Sequence, residues 1–302
     1  MVYPGASFCH YCKSPLPKQH SPAKAFFLAL LKCLGFYGFF LAVHELISIA
    51  LMIVSICYMV ITTGAFDPDA AFDTLSLYQG EIGILACGLI VLGYSLFFRM
   101  IKKRFTEEIR VRPVGFDGVL TGVVLGISCL FIVSVGLAAL YSAFPELASH
   151  SNSEELSEMM GSGNMFVTAL SVTVFTGIVE EVLFRGLIYN TLKKAIPRKL
   201  AIFVSALIFG AAHMNIEQFF YTALLGVLLC IVYDKFDTII VPVILHATFN
   251  GANYLLGALS FKYDIVYIAM LILALAIFMI FAGASLLSEK VPASRVEKIK
   301  GN

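Results

Sequence analysis

The chain has no tryptophan and little charge: Asp, Glu, Lys and Arg together make up 14% of its 302 residues, against roughly 25% in a soluble domain. So low a charge content excludes an ordinary water-soluble fold. Without tryptophan, the 13 tyrosines and 26 phenylalanines must anchor any membrane interface. The formal net charge is only +1, so there is no basic surface of the kind that binds nucleic acid. A disulfide framework is also missing, because Cys33, Cys57, Cys87, Cys129 and Cys230 stand singly in apolar runs, where a thiol behaves as a small hydrophobe. No cleavable signal is expected, since the first 24 residues are largely polar and the first apolar run is too long for a signal core. What the chain has instead is hydrophobicity, 59% of residues, with a mean hydropathy of +0.89.

A spanning helix needs about 20 mostly apolar residues. Eight segments qualify: 34–63, 80–99, 117–143, 165–186, 200–216, 218–234, 239–258 and 264–287. The expectation is an all-α, polytopic membrane bundle of about eight transmembrane helices. The stretch from Ala25 to Cys33 reads as an interfacial amphipathic lead-in, with a re-entrant segment as the alternative. Basic residues alternate with acidic loops. Lys13, Lys18 and Lys24 precede the first span, and Asp67, Asp69 and Asp73 follow it. Lys102, Lys103, Arg104, Arg110 and Arg112 follow the second, and Glu146, Glu154, Glu155 and Glu158 the third. Lys193, Lys194, Arg198 and Lys199 follow the fourth, Lys235 the sixth, and Lys290, Arg295, Lys298 and Lys300 the eighth. By the positive-inside rule both termini are cytoplasmic and the chain is an integral multi-pass protein of the cell membrane. In the third span Gly118, Gly122 and Gly126 recur every four residues, a stripe that lets another helix approach closely.

Ionisable groups at membrane depth are costly and are functional candidates by default. Three clusters meet that description: Glu180-Glu181 with Arg185, then His213, then His246 with Asn250. Successive helical residues point about 100° apart, so the two glutamates cannot share a face, whereas Glu181 and Arg185, four apart, can pair. That leaves Glu180 free to act as a general base. His246 and Asn250 are also four apart, one turn on a single face. Two imidazoles, an oxygen donor and a nearby carboxylate match a catalytic zinc site, with His213 and His246 as ligands and Asn250 or Glu181 as the third. Asn250 as an oxyanion donor is the other reading, and the sequence leaves both open.

Glu180-Glu181-x-x-x-Arg185, Phe209-x-x-x-His213 and His246-x-x-x-Asn250, in that order on successive helices, resemble the three motifs of the CPBP intramembrane proteases, the CAAX-processing and bacteriocin-processing or Abi type. The resemblance spans about 165–258. It implies a glutamate-dependent, metal-assisted endopeptidase with Glu180 as base, and with His213, His246 and Asn250 holding the water, metal or oxyanion. It also implies a peptide or protein substrate, lipidated or membrane-associated. The domain reading is a cytoplasmic tail (1–23), N-terminal transmembrane helices (24–160), a catalytic membrane core (161–288) and a basic tail (289–302). Rival readings of the same residues are a non-catalytic scaffold of the same fold and a proton-coupled transporter.

The tail carries Cys9-His10-Tyr11-Cys12, which resembles half of a zinc ribbon; the favoured reading is a second, structural zinc at Cys9 and Cys12, with His20 or a partner chain as further donors, and the competing readings are reduced unpaired thiols and redox activity. His44 and Glu45 read as helix-contact residues. Glu217, Asp234, Lys235 and Asp237 read as solvated boundary charges, and Pro242 as a bend loosening the seventh span.

Overall fold

The structure is a computed structural model that describes residues 21–144, 163–258, 272–278 and 280. The CxxC tail with Cys9 and Cys12, the acidic loop with Glu146, Glu154, Glu155 and Glu158, most of the expected eighth span and the basic tail lie outside the described residues. Among the described residues every regular element is a helix: α1 Pro22–Thr63, α2 Pro68–Ser76, α3 Gln79–Met100, α4 Phe105–Glu108, α5 Phe116–Ala143, α6 Met165–Lys193, α7 Arg198–Ala212, α8 Ile216–Phe236 and α9 Ile240–Ala258. Five of these, α1, α3, α5, α6 and α8, are long and apolar enough to cross a membrane. The chain is a multi-pass membrane protein of the all-α class. α7 has 15 residues and α9 is a shorter apolar helix.

The first span differs from the expected lead-in plus helix. α1 is one continuous helix of 42 residues. The Ser21 hydroxyl caps it by accepting from Lys24 N, and Pro22 sits in the first turn, where its missing N–H costs nothing. It ends at Gly64, whose left-handed backbone (φ 71°) lets its N–H reach Val60 O. His44 and Glu45 are exposed on α1 rather than packed against another helix.

The glycine stripe of α5 lies against α9. A Cβ at Gly126 would stand 2.6 Å from Leu245 O, and one at Gly122 2.8 Å from Ile244 Cγ2; either is closer than side-chain carbons approach. The small residues thus set the α5–α9 spacing. Pro242 occupies the first turn of α9, where it breaks no helical hydrogen bond and produces no loosened segment.

The loops after α3, α6 and α8 gather at one end of the bundle, as the charge alternation requires. Asp234 is correspondingly not a solvated boundary charge: its side chain is 9% exposed and is paired with Arg110, Lys193 and Arg198. Tyr189 also donates to it at 2.6 Å. Asp237 pairs with Arg110 and Arg112. Buried Asn190 accepts from Arg110 and donates to Glu108 O and the Tyr233 hydroxyl, tying the three loops together.

Candidate active site

α6 is the helix on which the site is built, and it is not a regular α-helix. Ser171–Phe175 and Val182–Tyr189 are π-helical turns flanking Thr176–Glu181. Closing a turn i→i+5 widens the helix and brings residues four apart nearly into line, and such turns recur at functional sites. The acidic pair sits between the two. Gly177, one turn before Glu181, is buried against Ala247 of α9, where an added Cβ would meet Ala247 N at 3.5 Å. That close approach delivers His246 to the carboxylates.

The contacts form a chain. Arg185 Nη1 donates to Glu181 Oε1 at 2.9 Å, with both side chains at most 1% exposed. The same Glu181 oxygen lies 2.8 Å from His246 Nδ1. Facing a carboxylate, Nδ1 is the protonated nitrogen, which turns Nε2 toward Glu180, whose Oε2 is 3.7 Å away. That gap is too long for a direct hydrogen bond. Glu180 Oε2 is itself buried and has no hydrogen-bond partner among the described residues, as have Glu181 Oε2 and Arg185 Nε and Nη2. Unsatisfied buried polar atoms at this density mark a place for water or ligand.

The structure brings Glu180, Glu181, Arg185 and His246 into direct succession. His213 joins through Phe209. It is the C-terminal cap of α7, and its Nδ1 folds back to Phe209 O at 2.9 Å, the direction in which helical side chains lean. A carbonyl partner makes Nδ1 the donor and leaves Nε2 as an acceptor. The Phe209 ring meets His213 edge-on at 5.0 Å, His246 at 5.8 Å and the Arg185 guanidinium at 4.2 Å. Phe209, fully buried, is the residue that motif reading undervalues; its signal is its place one turn before His213. Asn250 Nδ2 donates to Val172 O in the first π turn at 3.2 Å, so its amide is oriented with Nδ2 on the backbone.

Zinc at His213, His246 and Asn250 requires their donors to converge on one point. His246 Nδ1 is bonded to Glu181, which leaves Nε2 as the nitrogen that could face an ion, and among the described residues no three His, Cys, Asp or Glu side chains gather as ligands of one ion. No step below runs through a metal.

Residues 162–252 match the family described as type II CAAX prenyl endopeptidase Rce1-like. The match covers less than half of the chain, and over it the chain is similar to the CPBP, or CAAX-type, proteases. The matched segment contains the complete contact chain from Arg185 to Glu180. No curated protein and no solved structure matches the chain.

Proposed function

We propose that this protein is a glutamate-dependent endopeptidase of the CAAX-protease type, in which Glu180 activates a water seated between its Oε2 and His246 Nε2. The observation that carries this is the buried, unbonded Glu180 oxygen 3.7 Å from an imidazole nitrogen whose ring is already oriented. A polar gap of that length suits one bridging water.

The chemistry follows from the orientation. Arg185 neutralises Glu181 and fixes it, and Glu181 fixes the His246 tautomer. His246 Nε2 and Glu180 each accept a hydrogen bond from the water. Glu180 takes its proton as hydroxide attacks the scissile carbonyl, and later returns that proton to the departing amine. Asn250, held at Val172, offers its remaining N–H to the oxyanion. His213 supplies a second ring acceptor beside the same Phe209 wall. Glu181 and Arg185 are positioning residues that act through His246.

The test is cleavage of a membrane-peptide panel, including a farnesylated C-terminal tetrapeptide, by the purified full chain. Loss of a general base lowers turnover by about 10²–10⁴-fold, so Glu180→Gln is expected to fall in that range while the helical circular dichroism is unchanged. Turnover retained in Glu180→Gln overturns the assignment. Activity is expected to persist in EDTA; loss on chelation with recovery on added zinc would sink the metal-free route.

A further inference from the structure

A cavity of about 670 Å³ opens between α1, α3 and the C-terminal end of α6, and none of the six candidate site residues lines it. Along α1 it runs from Ala25 to Phe39, about 21 Å at ~1.5 Å per residue. Its two ends differ in chemistry. The end at the gathered loops carries Lys103, Lys194 and Glu108, with Lys32 further along α1, whereas the inner end is walled by Phe36, Phe39 and Phe97.

The charges do not cancel. Glu108 is paired with both Lys194 and Lys103, while Lys32 is exposed and has no ion-pair partner among the described residues. Three ammonium groups therefore face one carboxylate. An apolar trough at bilayer depth, with an excess of lysine where the loops emerge, matches a molecule with an anionic head and a long hydrocarbon tail. Lysine stems can lie along apolar surface while their heads reach a phosphate.

We propose that this cavity binds an anionic phospholipid, its phosphate held by Lys32, Lys103 and Lys194 and one acyl chain packed against Phe36, Phe39 and Phe97. The site is separate from the proposed peptidase centre and does not depend on that reading. Gly35 lines the cavity, and a Cβ there would meet nothing within 4 Å, so a side chain at this position fills the trough without clashing.

The test uses the full chain reconstituted in equimolar phosphatidylglycerol and phosphatidylcholine, extracted in mild detergent and weighed by native mass spectrometry for retained lipid. Phosphatidylglycerol is expected to be retained over phosphatidylcholine, Lys32→Ala to reduce that preference about fivefold, Lys32→Arg to keep it, and Gly35→Leu to abolish retention of both with unchanged helicity. Equal retention of the two lipids overturns the proposal. So does displacement by inorganic phosphate alone, which would assign a free-anion site, or displacement by a farnesylated peptide, which would assign the cavity to substrate.

Discussion

At the scale of single residues, the site is a relay in which each polar group is oriented by the one behind it, so substitutions should separate by position in the chain. Arg185→Ala leaves Glu181 charged and unpaired in a fully buried setting, where breaking an ion pair costs about 3–5 kcal/mol. Thermal unfolding in detergent should show that loss, and Arg185→Ala paired with Glu181→Gln should recover part of it. Glu181→Gln keeps the shape and a hydrogen-bond acceptor for His246 but removes the charge. It is expected to lower kcat with little change in KM and to displace the acidic limb of the pH profile, whereas a purely structural role would leave the profile in place.

At the scale of elements, helix-to-helix distance is set by absent side chains. Gly126→Leu drives a side chain into the backbone of α9 at Leu245; overpacking of this kind costs about 1–3 kcal/mol or more. The readout is a lower melting temperature together with lost cleavage, since α9 carries His246. Pro242→Ala, in the first turn of α9, is expected to leave both unchanged. This scale also shows what was legible in advance. The glycine period announced a packing face, and the i,i+4 spacing announced the Glu181–Arg185 pair, because both follow from helical geometry alone. The π turns of α6 left no such trace: widening a turn changes no residue type, and only the backbone reveals it. Phe209 could be read from its place one turn before His213, but its contact with two histidines and an arginine could not, because an apolar residue in an apolar helix carries no contrast.

At the scale of the whole molecule, the gathered loops act as a charged fastening at one end. Burial by itself would raise the Glu108 carboxyl, but hydrogen bonds and charge from Lys194 and Lys103 outweigh it and hold the group below its ordinary 4.5. A depressed carboxyl contributes stability that is complete above its unfolded value and is lost as pH falls through the folded one. Protection from hydrogen exchange in the α3–α5 loop, taken relative to the intrinsic rate at each pH, should therefore fall as pH drops below about 4.5, and Glu108→Gln should remove that step. The zinc expected at Cys9 and Cys12 can be checked directly by metal analysis of the full chain against a Cys9→Ser, Cys12→Ser variant. Two equivalents lost or none at all would reject a single knuckle.

The widened turns of α6 carry a consequence for how this protein tolerates change. A deletion of Val174 would let the strand of backbone from Ser171 to Phe175 rewind into ordinary α geometry, with no hydrophobe exposed and no charge altered. Such a chain should insert, span and give an unaltered ellipticity with the flanking segments facing as before, yet the Val172 carbonyl that Asn250 grips would be drawn into an ordinary i→i+4 bond. The register of this site is thus kept by the number of residues in a coil as much as by their identity. A missing link of one valine is expected to silence it more completely than most exchanges of one side chain for another.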